Sequence, residues 1–208
     1  MQKINIDTWS RKQQYLFYKD FDVPTYHLTV TLDITRFKAF IKTKGHPFYF
    51  AFMHVMMRVM NDMEAMRCRF VDGDAYLMDK VHPSFTDLIA GTENFKIVTV
   101  DHHDDLETFI GHARDASTAQ GEQFIDMAKE SRQDLVYITT VPWYAFTQVT
   151  HAHMLNNKDA IPRIVWGKAT ERDGIWTMPF ALEVHHAFVD GYQVGHFLER
   201  LQQALNRL

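Results

Sequence analysis

Trp176, Met178, Phe180, Leu182 and Val184 occupy every second position of one segment. A period of two puts these five large apolar side chains on one face of a strand and leaves Thr177, Pro179, Ala181 and Glu183 on the other. A little further on, Val194, Phe197, Leu198, Leu201 and Leu205 recur at helical spacing and form one stripe. The last part of the chain therefore reads as a long strand, a short polar connection and a core-facing helix. A strand and a helix that each carry one apolar face must find a shared core.

The same two periods recur upstream. Leu28, Val30, Leu32 and Ile34 alternate with Thr29, Thr31 and Asp33, a half-buried strand in β-favouring composition. Phe52, Val55, Met56, Val59, Met60 and Met63 follow helical spacing and predict a core-facing helix. Arg67 to Val71 and Ala75 to Met78 flank Asp72-Gly73-Asp74, a hairpin turn in which glycine supplies the positive φ. Further strands are predicted over Phe95 to Val100, Leu135 to Val141 and Ile161 to Ala169, the last joined to the segment from Ile175 by the Asp173-Gly174 turn. A helix from Asp104 to Ala119 opens on the carboxylates of Asp104 and Asp105. Hairpin turns among interspersed helices predict an α/β chain with a mixed, mostly antiparallel sheet.

No linker or repeat divides the 208 residues, so a single domain over 1–208 is expected. About 70% of the unfolded surface of such a chain is buried on folding, enough for a core without disulfide or metal staples. The formal charge of −4, from 22 basic and 26 acidic residues, speaks against nucleic acid as the main partner. His54 and Arg58 interrupt the longest apolar stretch, which predicts no membrane span. One cysteine, Cys68, allows no internal disulfide, and the start of the chain lacks the apolar core of a signal peptide, so a reducing cytoplasm is expected.

Chemistry concentrates in His185-His186-Ala187-Phe188-Val189-Asp190-Gly191, between the long strand and the last helix. A strand end is rigid and the loop beside it is accessible, the two properties a catalytic base requires. An imidazole with an ordinary pKa of about 6.5 is largely neutral at physiological pH. On residue types alone, the same stretch also reads as a polar loop with an aspartate capping a helix. Arg11 by itself reads as a solvated residue at a helix start, and Thr139 as an ordinary strand threonine. His151-Ala152-His153 has the spacing that puts two imidazoles on one strand face, but no further ligands accompany them, so no metal is expected. His102-His103-Asp104-Asp105 reads as an acidic helix start and Cys68 as packing.

Read as a whole, His185 to Leu201 closely resembles the signature of the chloramphenicol acetyltransferase family. Trp9-Ser10-Arg11-Lys12, Phe17-Tyr18, the strand from Leu28 to Thr35, His103-Asp104-Asp105, Val141-Pro142-Trp143 and Gly167-Lys168 resemble that family's landmarks in the family's order, so the likeness covers essentially the whole chain. A lone His-x-x-x-Asp-Gly is shared with dihydrolipoyl acyltransferases and condensation domains; the collinear set is specific. The resemblance implies a two-layer α/β sandwich of the CoA-dependent acyltransferase type. It also implies a homotrimer, with active sites at the subunit interfaces, and acetyl-CoA as co-substrate. His186 would deprotonate an acceptor hydroxyl, most simply that of chloramphenicol. Thr139, at a position where the family has serine, would donate to the oxyanion. Asp190 would pair with Arg11, Lys168 and Trp143 would line the CoA channel, and Phe17, Tyr18, Tyr26, Phe95 and Tyr137 would line the acceptor pocket.

The sequence also departs from the pattern. Tyr137 stands where the drug acetyltransferases usually have asparagine, Val165 where threonine is usual and Glu183 where glutamine is usual, and Pro24 falls at a drug-pocket position. These changes keep open a different small hydroxyl acceptor, or a catalytically weak trimeric scaffold that binds small molecules.

Overall fold

The computed structural model describes residues 1–208. Its elements, in order, are β1 (Gln2–Lys3), α1 (Lys12–Tyr18), β2 (Thr25–Asp33), α2 (Thr35–Lys44), α3 (Phe48–Asn61), β3 (Cys68–Val71), β4 (Asp74–Leu77), β5 (His82–Leu88) and β6 (Phe95–Thr99). There follow α4 (Leu106–Gln120), α5 (Met127–Glu130), β7 (Leu135–Val141), β8 (Arg163–Gly167), β9 (Thr170–Arg172), β10 (Ile175–His185) and α6 (Gly191–Asn206). The main sheet runs β2-β10-β8-β7-β5-β6, with β9 hairpinned onto β10. Only β5 with β7 and β7 with β8 pair in parallel, so the sheet is mixed and mostly antiparallel. A second sheet, β1-β4-β3, is tied to the main one by Arg69. That guanidinium is fully buried and donates to the carbonyls of Met66, Cys68, Gln133 and Leu135, which accounts for its burial.

The predicted strands and helices are present with ends shifted by a few residues. The signals that stop them are visible in the structure. Pro142 follows β7, α2 ends at Gly45 with φ 71°, and the Asp105 carboxylate accepts from Thr108 N–H at 2.8 Å to cap α4. One expectation changes. The stripe from Phe52 to Met63 predicts a helix with one apolar side, but α3 is buried nearly all round from Ala51 to Met57. It lies between the sheet and the helices α2, α4 and α6, and even His54 is satisfied there by the carbonyl of Asp104 at 3.0 Å. Phe52 meets Trp166 and Phe180 edge to face in this core, and Phe85 meets Tyr49 and Phe50 in the same way. Each buried side chain of that size stabilises the fold by about 1.5–3 kcal/mol through removal from water. No helix is long and apolar enough to cross a membrane.

Two buried histidines make stability depend on pH. His102 is packed against His54 and Phe109, neither ring nitrogen has a partner, and burial first, then the neighbouring His54, pushes its pKa down to about 3. His185 is pushed down to about 4, mainly by burial. Its Nδ1 accepts from Ala187 N–H at 3.1 Å and its Nε2 lies 2.9 Å from the carbonyl of Asn157, an arrangement that only the neutral ring satisfies. Unfolded, both rings take up a proton near pH 6.5. The stability they contribute is therefore complete above about pH 6.5 and is lost at roughly 1.4 kcal/mol per pH unit per ring as the pH falls towards the folded values. Urea unfolding at pH 7.5 and pH 5 is expected to show a lower midpoint at pH 5. An unchanged midpoint would contradict the neutral buried rings.

Candidate active site

His186 follows β10 directly and is fixed from three sides. Its N–H donates to the carbonyl of Pro24 at 2.7 Å, its ring stacks on Tyr18 with centroids 3.9 Å apart and planes 7° apart, and Tyr26 packs obliquely at 5.1 Å. Nδ1 is enclosed without a hydrogen-bond partner while the residue as a whole is half-buried, so the ring presents its Nε2 edge outward. The adjacent histidines thus divide the work: His185 is a satisfied structural ring, and His186 is held but open.

Four residues on, Asp190 closes the loop. Its carboxylate accepts from Tyr192 N–H at 3.0 Å and from Arg11 Nη2 at 3.1 Å, and the Gln193 side chain accepts from Asp190 N–H, completing a capping box on α6. Burial works against its charge, but Arg11 and the helix N–H groups hold it below the usual carboxylate range. Trp9 packs on Phe188, so the N-terminal segment is fastened to the histidine loop at two points. Asp190→Ala removes both the cap and the partner of a half-buried guanidinium. It is expected to cost about 1–2 kcal/mol for the cap alone and to lower Tm by about 2–4 °C for each kcal/mol. An unchanged melting curve would show that the pair does not hold the loop.

Thr139 lies elsewhere. Through the register Thr139, Val165, Ala181 it sits two strands from β10, and His186 is five residues beyond Ala181, a separation of roughly 17 Å along the strands and about 10 Å across them. One chain does not bring His186 and Thr139 together. Thr139 instead pairs with Thr86, their hydroxyls 3.0 Å apart, and the two residues divide a pair of cavities. One, of about 280 Å³, is lined by Tyr49, Leu88, Phe95, Pro142 and Trp143. The other, of about 240 Å³, is lined by Ser84, Glu130, Tyr137, His151 and Arg163. Phe95 and Tyr137 therefore flank Thr139, whereas Tyr18 and Tyr26 flank His186. Phe17 is 64% exposed and packs edge-on against Tyr18.

Trp143 is 60% exposed beside Thr139 and Lys168 is exposed just beyond β8. The segments that carry them are joined next to Trp143, where Lys168 N–H donates to the carbonyl of Tyr144 at 2.8 Å. Gly167 makes this possible, because a Cβ there would lie 2.7 Å from that carbonyl oxygen and 2.8 Å from Pro179 Cγ. No larger residue leaves room for the loop to approach the strand.

A polar row crosses the whole sheet on the same face as Thr139. Paired positions run Thr99, Ser84, Tyr137, Arg163, Glu183, His27 from one edge to the other. Glu183, with 3% of its side chain exposed, lies within 3.0–3.4 Å of nitrogens of Arg163, His27, His151 and His153. Burial opposes its charge, but the His151 hydrogen bond and Arg163 outweigh it and keep the carboxyl below its ordinary value. His151 and His153 reach it from an irregular segment, not from the strand face their spacing predicts. No group of three or more His, Cys, Asp or Glu side chains has the arrangement of a metal site. Cys68 is buried, with its thiol pushed up to about 11 chiefly by burial, and donates weakly to the carbonyl of Glu64. Ser84, Thr86 and Arg163 carry no signal in the sequence, because only strand register brings them beside Thr139, and Glu130 joins them from α5 through its hydrogen bonds to Ser84 and Thr99.

The family model described as chloramphenicol acetyltransferase matches residues 1–202. Chloramphenicol acetyltransferases of Klebsiella sp and Escherichia coli are each 32% identical over 200 residues, covering 96% of this chain and 91% of theirs. A solved chloramphenicol acetyltransferase superposes with a TM-score of 0.89 at 26% identity, covering 98% of this chain and 99% of that one. With sequence and fold in agreement over nearly the full length, the chain belongs to the chloramphenicol acetyltransferase family.

Proposed function

We propose that the protein is an O-acetyltransferase that moves the acetyl group of acetyl-CoA onto a hydroxyl of chloramphenicol. His186 Nε2 takes the proton as the hydroxyl oxygen attacks the thioester carbonyl. The Thr139 hydroxyl donates to the oxyanion of the tetrahedral intermediate. Collapse forms the ester and expels the CoA thiolate, which takes the proton back from the imidazolium. Arg11 and Asp190 hold the loop, and the exposed Lys168 and Trp143 suit the phosphates and pantetheine of CoA.

The observation that carries this reading is the immobilised, outward-facing His186 at the end of β10, and a threonine hydroxyl set between two cavities supports it. The separation of these groups within one chain supports a homotrimer in which His186 of one subunit faces Thr139 of the next. Residues 1–208 then form one acetyltransferase domain, working in the cytoplasm where acetyl-CoA is available. The test is thiol release from acetyl-CoA: release that requires chloramphenicol is expected, and release at the same rate without it would refute the proposal.

A further inference from the structure

The cavity on the β5 side of Thr139 carries an unanswered negative charge. Glu130, at the end of α5, faces into it and accepts from Ser84 Oγ at 2.9 Å and Thr99 Oγ1 at 2.7 Å. Both partners are neutral hydroxyls, and Glu130 forms no ion pair with any lysine, arginine or histidine. The two basic groups in the wall are already engaged elsewhere: Arg163 is held between Asp159 at 2.5 Å and Glu183 at 3.4 Å, and His151 lies 3.3 Å from Glu183. Tyr137, between Glu130 and Arg163 on the polar row, is pushed up to about 12 by burial first and by the Glu130 charge second, so its phenol stays neutral. Glu130 is therefore a carboxylate of this wall without a cationic partner, and a half-buried carboxylate with only hydroxyl partners favours a cation brought in by a ligand.

We infer that the preferred acceptor carries a protonated amine as well as the reacting hydroxyl, and that Glu130 selects it. This rests on the reading of Thr139 as the residue at the reacting carbonyl. An amino alcohol seated with its ammonium on Glu130 would keep its hydroxyl beside Thr139, because Ser84, which anchors Glu130, and Thr86, which pairs with Thr139, are two residues apart on one face of β5. Chloramphenicol has the diol but holds its nitrogen as a neutral amide.

The comparison that isolates the charge uses chloramphenicol and the amino-diol left when its dichloroacetyl group is removed, in the same thiol-release assay. The amino-diol is expected to show a kcat/KM higher by about tenfold, the ratio equivalent to about 1.4 kcal/mol. Glu130→Gln is expected to erase that ratio and Glu130→Asp to keep most of it, with melting curves recorded to confirm that both variants fold. A wild-type protein that favours chloramphenicol, or a ratio that survives Glu130→Gln, overturns the inference and leaves the acetyltransferase reading standing. Release with neither acceptor removes both.

Discussion

His186→Ala is expected to reduce drug-dependent thiol release by roughly 10²–10⁴-fold, the contribution of a positioned general base. In free energy that is about 3–5 kcal/mol of transition-state stabilisation. The structure makes the substitution clean. The His186 ring stacks on Tyr18 and packs obliquely against Tyr26 but makes no hydrogen bond through Nδ1, so truncation leaves no buried partner unsatisfied. The backbone N–H that pins the loop to Pro24 remains, as does the Asp190 cap with its Arg11 pair. CoA binding is expected to be retained, because Trp143 and Lys168 lie with Thr139 at the distant part of the sheet. Calorimetric titration of CoA alongside the rate measurement separates the two effects. A variant that binds CoA and turns over at the wild-type rate would exclude His186 as the base. A parallel His185→Ala should behave differently, losing stability first, since that ring bridges Asn157 and Ala187 inside the fold.

How much of this was legible in the sequence depends on how local each feature is. β10, α6 and the two hairpins were readable because their apolar periods and turn residues are contiguous. β5 was not. It is a central strand with Pro83, Ser84 and Phe85 all buried, so both faces are covered and no alternation survives in His82–Leu88. α2 was also missed, although Phe37 and Ile41 face the core and Gly45 marks its end, because the helix is short and its remaining residues are mostly polar. The site divides in the same way. The His185 to Gly191 loop stands out in the sequence, but Arg11 is 179 residues from Asp190, and nothing in spacing alone joins them. The resemblance supplied that pairing, and the geometry places the two groups 3.1 Å apart. The polar row from Thr99 to His27 draws one residue from each of six strands and exists only once the register is known. Glu183 and Tyr137 were noticed as departures from a pattern; their meaning as members of a continuous charged strip was not.

Mixing two inactive variants is expected to restore activity. His186 and Thr139 are roughly 20 Å apart in one chain by strand geometry, so neither can serve the other without a second subunit. His186→Ala keeps a working Thr139, and Thr139→Ala keeps a working His186. If each site joins His186 of one subunit to Thr139 of its neighbour around a closed ring, a random mixture in equal amounts builds some sites from the two intact halves. The chance that a given interface has the right subunit on each side is a half times a half, so activity should recover to about one quarter of wild type. Each variant refolded alone supplies the baseline, and co-refolding from denaturant ensures that subunits exchange. Thr139→Val is a useful second partner, since it keeps the volume and removes only the hydroxyl. Recovery would place the two groups on different chains at one site. Activity no higher than the sum of the two variants alone would mean that each chain carries a whole site, and would require β7 and β10 to approach each other by a movement the hydrogen-bonded sheet does not permit.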